Sequence, residues 1–171
     1  GKACIVGPQN TPYAGGYYLF DFIFPHDYPH NPPKVIYYTN DGFTRFNPNL
    51  YKNGKVCLSI LNTWRGPQWT SCQTISSILL CICGAVLTDT PLINEPGVTK
   101  YHRDFMTYNT IITYKNYEVA ILKMLTRPDI SKLFKPLMED IIKHFKNNYS
   151  QIVKNLEEVS CEEMELSTSI Y

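Results

Sequence analysis

Cys57 is the residue in this sequence whose type and setting point most directly to chemistry. It lies in the stretch Arg45-Phe-Asn-Pro-Asn-Leu-Tyr-Lys-Asn-Gly-Lys-Val-Cys57-Leu-Ser-Ile-Leu61, eight residues after an Asn-Pro-Asn loop and just past a Gly turn. A cysteine thiolate is a nucleophile that can hold an acyl group as a thioester. A hydrolase would pair the thiol with a histidine base. The histidines are His26, His30, His102 and His144, none near Cys57 in sequence and none in a recognisable motif. The pattern therefore favours a thiol that carries a group over one that hydrolyses a bond. A lone cysteine is ordinarily a small buried hydrophobe, but the Gly-Lys-Val-Cys run closing a long polar segment favours catalysis here.

That polar segment, residues 40–56, is irregular, and a long loop in a compact domain is usually functional. The elements before it read as strands. Residues 3–6 form a short apolar stub ending at Gly7-Pro8, and residues 9–16 a hairpin turn. Residues 17–24 alternate, with Tyr18, Phe20, Phe22 and Phe24 on one side and Tyr17, Leu19, Asp21 and Ile23 on the other. Prolines prevent regular pairing over residues 25–33, and residues 34–39 form the next strand. The elements after it read as helices. Residues 71–87 are an apolar run expected as a central buried helix. Residues 103–125 place Tyr108, Ile111, Ile112, Val119 and Leu122 near a 3.6 period. Pro128-Asp129 opens a last helix with a stripe of Leu133, Phe134, Leu137, Met138, Ile141, Ile142 and Phe145. Strands first and helices after predict an α+β fold.

At 171 residues the chain has the length of about one domain, and 44% hydrophobic with 18% charged residues suits a globular core. Net charge of +1 argues against a whole-molecule field for nucleic acid. No apolar run has the length of a membrane span, and no signal peptide is visible. The spacing of Cys4, Cys57, Cys72, Cys81, Cys83 and Cys161 suggests no disulfide framework, so a reducing compartment is expected, cytoplasmic and nuclear. Cys81-Ile-Cys83 reads as two small buried hydrophobes, because no second Cys/His pair completes a zinc set; no metal is expected. Residues 1–149 read as the catalytic domain. Residues 150–171, with Glu157, Glu158, Glu162, Glu163 and Glu165, read as an acidic tail or an extension of the last helix.

Four motifs recur in order: Gly7-Pro-x-x-Thr-Pro-Tyr-x-Gly-Gly16, Phe24-Pro-x-x-Tyr-Pro-x-x-Pro-Pro-Lys-Val35, Asn47-Pro-Asn49 and Gly54-Lys-Val-Cys-Leu58. Together they resemble the ubiquitin-conjugating enzymes, over about residues 3–125. The resemblance implies the UBC fold: a four-stranded antiparallel meander packed on a central helix, with the C-terminal helices at one end. It implies that Cys57 takes ubiquitin or a ubiquitin-like modifier from an activating enzyme and passes it to a ligase or to a lysine on a protein substrate. No cofactor is implied, since ATP is used by the activating enzyme. Within the family the chain resembles the large members that carry Arg-Phe-Asn-Pro-Asn, with Asn47 where most relatives have His. The insertion between Cys57 and Trp69, the run Gln73-x-Ile-Ser-Ser-Ile-Leu and Asn94-Glu-Pro-Gly97 carry the same likeness. Members of that subclass work with ubiquitin, and at least one accepts a ubiquitin-like modifier.

Residue by residue, the resemblance gives Asn49 an amide that donates to the oxyanion or holds its own loop. Asn47 and Pro48 brace that loop. Ser59 falls at a gating position beside the nucleophile. Glu95 falls near an acid that orients the incoming lysine, with Asp89 as competitor. Pro29 and His30, with Thr70 and Ser71, match two ligase-binding loops. His30 and Ser71 replace the usual Phe and Pro, which weakens the familiar anchor. Trp69 reads as core. The family domain opens with an amphipathic helix, whereas this sequence starts inside the strand that follows, so that helix is expected to be absent. The competing reading is a catalytically impaired scaffold that binds ligases or ubiquitin; retention of Cys57 and Asn49 speaks against it. A protein tail and a lysine both have to reach the thiol, so Cys57 is expected in a shallow, exposed groove and not a deep pocket, and a Cys57 buried without access would sink the transfer reading.

Overall fold

The alternation of residues 17–24 does form a strand, but from Tyr17 to Phe20 both of its sides are buried, and only its end, at Ile23 and Phe24, is exposed. The computed structural model describes residues 1–159. In it β1 (Lys2–Val6), β2 (Tyr17–Ile23) and β3 (Lys34–Tyr37) make an antiparallel meander in the order β1-β2-β3. Cys4 stands opposite Leu19, and Phe20 opposite Tyr37. Tyr18, Phe20 and Phe22 enter one hydrophobic core, while Tyr17 and Leu19 enter a second on the other face. Alternation in β2 therefore sorts side chains between two cores.

The β1–β2 connection explains its glycines. Gly7 donates to the Gly16 carbonyl at 2.8 Å, and Gly15 to the Gly7 carbonyl at 3.0 Å. A Cβ on Gly7 would lie 1.7 Å from the Tyr13 carbonyl oxygen, and one on Gly16 2.0 Å from Asn116 Oδ1. Only a residue without a side chain fits at either place.

The expected fourth strand is reduced, among the described residues, to an isolated bridge between Ile36 and Lys55, supported by Tyr37 donating to Gly54 at 2.8 Å. The chain from Asn47 to Lys55 bonds to itself instead. Leu50 donates to Asn47, Tyr51 to Lys55 and Gly54 to Tyr51, which folds the segment into turns. Pro48 has no N–H to give a ladder.

All three expected helices are corrected. The run 71–87 becomes α1 (Ile75–Cys81), started by a capping box between Thr74 and Ser77, and then a π-helical segment, Ile82–Val86. Only one face is buried: Ile78 and Ile82 are sealed, while Leu80 is exposed. Cys81 and Cys83 are half-buried rather than buried. The run 103–125 becomes α2 (Phe105–Lys115), a π-helical segment at Asn116–Lys123, and α3 (Met124–Thr126). Wider turns advance the register, so Ile121 packs inside and Leu122 faces solvent. The last helix is two, α4 (Pro128–Leu133) and α5 (Lys135–Glu157), broken at Phe134, with Pro136 in the first turn of α5. Leu133 and Ile142 accordingly leave the stripe for solvent. Phe134, Met138 and Ile141 join Tyr17, Leu19 and Met124 in the second core. Helix α5 runs on past residue 149 to Glu157; Cys161 and the acidic residues Glu162, Glu163 and Glu165 lie outside the described residues.

Candidate active site

The turns of residues 47–56 lay the Asn-Pro-Asn segment against Cys57. Cys57 donates its backbone N–H to the Asn49 carbonyl at 2.9 Å, and Asn49 Nδ2 donates to the Cys57 carbonyl at 2.7 Å. Of the two roles weighed for Asn49, holding the loop is the one this geometry displays. An amide nitrogen carries two N–H donors, so one remains for another acceptor. Asn47 is sealed from solvent and bonds on both sides of its amide. Its Nδ2 donates to Val86 O at 2.8 Å and to Tyr13 Oη at 3.1 Å, while its Oδ1 accepts from Asn49 N at 2.9 Å and Asn94 Nδ2 at 3.3 Å. Pro48 accepts from Arg45 Nη2 at 2.6 Å.

Beyond Cys57, Ser59 begins a short 3₁₀ turn, Ser59–Leu61, and is half-buried. Thr63 Oγ1 accepts from Leu58 N at 2.9 Å, which pins the chain just past Cys57. Glu95 follows a second 3₁₀ turn, Pro91–Asn94, and its carboxylate lies 3.5 Å from Arg45 Nη2. Asp89, the competing acid, is exposed and pairs with the neighbouring Thr90 hydroxyl. The fold thus brings Glu95, and not Asp89, to the Asn-Pro-Asn segment. Arg45, Tyr13 and Asn94 stand in motifs read from the sequence but carried no role of their own there, and Thr63 carried none either.

The expectation of an exposed groove at Cys57 is not met: the residue keeps 2% of its accessible surface. Its sequence neighbours Val56, Leu58, Ile60 and Leu61 are all buried in the main core. None of the four histidines hydrogen-bonds to Cys57; His30 meets Ser71, His102 meets Asp104 and His144 meets Tyr17. Burial pushes the Cys4 thiol up to about 12 and raises that of Cys81. Among the described residues no group of three or more metal-ligating side chains converges, and no helix is long and apolar enough to cross a membrane.

The two candidate partner loops do meet. Trp69 Nε1 donates to the Pro29 carbonyl at 2.7 Å, and Ser71 Oγ lies 3.4 Å from His30 Nδ1. Trp69 belongs to the core and packs against Tyr28, with ring centroids 6.1 Å apart. His30, Thr70 and Ser71 are exposed, and Pro29 is half-buried, so the four form one accessible edge above a fixed indole.

Comparison with known proteins places these features in context. The sequence profile of the family "Ubiquitin-conjugating enzyme" matches residues 2–113. Human ubiquitin-conjugating enzyme E2 Z is 47% identical over 126 residues, covering 72% of this chain and 35% of that protein. Its counterpart in Xenopus tropicalis is 40% identical over 157 residues, covering 90% of this chain and 50% of its own length. The human dual E2 ubiquitin-conjugating enzyme/E3 ubiquitin-protein ligase BIRC6 is 40% identical over 169 residues, 92% of this chain and 3% of that protein. The chain therefore spans at most half the length of these relatives.

Proposed function

This chain belongs to the ubiquitin-conjugating enzyme family, and on that premise we propose that Cys57 accepts ubiquitin or a ubiquitin-like protein as a thioester and passes it on. What supports the reading most is the reciprocal tie between Asn49 and Cys57 inside the family-matched segment. In loading, the Cys57 thiolate attacks the thioester carbonyl on the activating enzyme, and that enzyme's thiolate leaves. In discharge, a lysine ammonium first loses a proton. The free amine attacks the carbonyl, a tetrahedral oxyanion forms and collapses, the C–S bond breaks, and an isopeptide bond remains. The nitrogen loses its second proton as the intermediate collapses, and Cys57 leaves as thiolate and takes up one proton, so of the two protons shed by nitrogen one is released net.

Asn49 serves both steps from one place: one N–H holds the Cys57 carbonyl, and the other is left for the oxyanion. A positioned oxyanion donor accounts for a factor of roughly 10²–10³ in rate. Glu95 orients the lysine, and Ser59 lines the approach. The edge formed by Pro29, His30, Thr70 and Ser71 receives the ligase, with a weaker apolar anchor than Phe and Pro would give. Within the family we place the chain with the relatives that carry Asn-Pro-Asn. Because the thiol is covered, the loops around Cys57 open before it is loaded.

The test is a thioester assay with ubiquitin, ATP and a panel of activating enzymes, read on non-reducing gels beside Cys57→Ser. A thiol-sensitive adduct that requires Cys57 is expected. Absence of an adduct with every activating enzyme would overturn the carrier reading and favour a scaffold that binds ligases or ubiquitin.

A further inference from the structure

The Arg45 side chain joins more parts of the site than any residue picked out for catalysis. Its Nη2 donates to the Pro48 carbonyl at 2.6 Å, within the Asn-Pro-Asn segment. Its guanidinium lies over the Tyr51 ring, 4.3 Å from the centroid. Its backbone carbonyl accepts from Tyr108 Oη of α2 at 2.7 Å. The first two contacts hold the guanidinium and the third holds its backbone, and the side chain is only 15% exposed. Toward Glu95 the contact is looser, at 3.5 Å, an ion pair beyond ordinary hydrogen-bond length.

We propose that Arg45 is a positioning residue, which holds the Glu95 carboxylate over the Asn-Pro-Asn segment so that it can receive the incoming lysine. This rests on the Cys57 transfer reading above. A carboxylate has about four acceptor sites and can hold two cations at once. The side chain of Glu95 is 29% exposed, so a substrate amine can reach it from solvent while Arg45 stays behind it. The same Nη2 that donates to Pro48 lies 3.5 Å from Glu95 Oε2, a buried oxygen, so a second cation shares the carboxylate through Oε1 without displacing the first. Asn94 adds a parallel tie, with Nδ2 donating to Asn47 Oδ1 at 3.3 Å and to Ala85 O at 2.8 Å. Residues 94–95 are thereby laced to residues 45–47 by an amide pair and an ion pair. Through Arg45 and Pro48, the carboxylate is linked to the segment whose Asn49 binds the backbone of Cys57.

The role predicts a defect confined to cationic acceptors. Preloaded protein is discharged with free lysine and, separately, with hydroxylamine, an amine that is neutral at neutral pH and needs no carboxylate to receive it. Arg45→Ala and Glu95→Gln should each lower the lysine-to-hydroxylamine rate ratio about tenfold, the scale of one lost acid–base or orienting contact. The double variant should be no worse than either single one, because the two residues act as a unit. Arg45→Lys should recover part of the ratio. The swapped pair, Arg45→Glu with Glu95→Arg, should regain thermal stability but not the ratio, since a cation then stands where the amine must arrive. An equal loss toward both amines, additive single effects or a swap that restores the ratio would reduce Arg45 to a strut and overturn the proposal. If the unmodified protein forms no Cys57 thioester, the transfer reading fails by itself. Amide exchange at Glu95 and Val98 still decides the anchoring in that case: Arg45→Ala should speed it, and unchanged exchange would overturn the proposal.

Discussion

Asn47 does more structural work than Asn49, although Asn49 is the nearer to chemistry. Removing the Asn47 amide strands the Val86 carbonyl and the Asn49 N–H in a sealed place. Each unsatisfied buried group costs about 1–3 kcal/mol, so Asn47→Ala should lose about 3 kcal/mol in urea denaturation. Asn47→Asp keeps the acceptor and loses both donated bonds, and should fare no better. Thiol labelling probes a second property of single residues. Cys72 is exposed and Cys57 nearly sealed, so a maleimide should modify Cys72 first and Cys57 about tenfold more slowly, through local opening. Equal rates, followed by mass spectrometry of peptides, would show that the cover over Cys57 is not closed in solution. Cys57 and Asn49 were legible in sequence because their spacing and neighbours are local. Arg45 was not, because its partners Glu95 and Tyr108 lie 50 and 63 residues away. The burial of Cys57 was not legible either, since it depends on tertiary packing that no local pattern expresses.

At the scale of elements, the π-helical segment Asn116–Lys123 decides which apolar side chains count. A 3.6 period assigns Leu122 to the core, and the wider turn assigns Ile121. Ile121→Lys should therefore cost about 3 kcal/mol or more by burying an unpaired charge, whereas Leu122→Lys should fall within about 0.5 kcal/mol of the parent. Chemical denaturation of the two variants side by side checks the register, and the reverse order would refute it. The same segment also anchors the β1–β2 connection: Asn116 Oδ1 accepts from Tyr18 Oη at 2.6 Å, and its Nδ2 donates to the Ala14 carbonyl at 2.9 Å. The strands and the general helical run were readable from period alone, because alternation and 3.6 spacing are properties of contiguous residues. The break at Phe134 and the lost fourth strand were not. Both depend on where backbone N–H groups find partners, and Pro136 and Pro48 change that supply without disturbing the hydrophobic pattern.

For the whole molecule, charge and packing each tie distant parts together, and each can be tested. Lys115 of α2 reaches Asp41 at 3.6 Å and Glu118 at 2.6 Å, with Lys123 also on Glu118 at 3.0 Å. Burial pushes the Asp41 carboxyl up, but hydrogen bonds from Thr44 and Phe43 and the charge of Lys115 outweigh it, leaving it below its ordinary value. The hydrogen bond from Lys115, then that from Lys123, hold Glu118 low. Depressed carboxyls stabilise the fold above the ordinary range near pH 4 and lose that contribution as pH falls through their lowered values. Lys115→Met should thus lower Tm at pH 7, and its deficit should shrink as pH falls through the lowered values of Asp41 and Glu118. Packing couples the molecule more strongly, because β2 serves both cores and α4 and α5 close the face that holds Tyr17 and Leu19. Residues beyond 113 lie outside the family match, yet they supply Phe134, Met138 and Ile141 to that second core. Phe134 is sealed and packs its ring 5.4 Å from that of Tyr38. Phe134→Ala should cost about 3–5 kcal/mol. If β2 truly makes one cooperative unit of the two faces, tryptophan fluorescence from Trp69 in the first core and far-ultraviolet dichroism from the helices should shift together in urea. Loss of the helical signal while Trp69 remains buried would mean that the second core melts alone and that the strand does not transmit its loss to the active-site side.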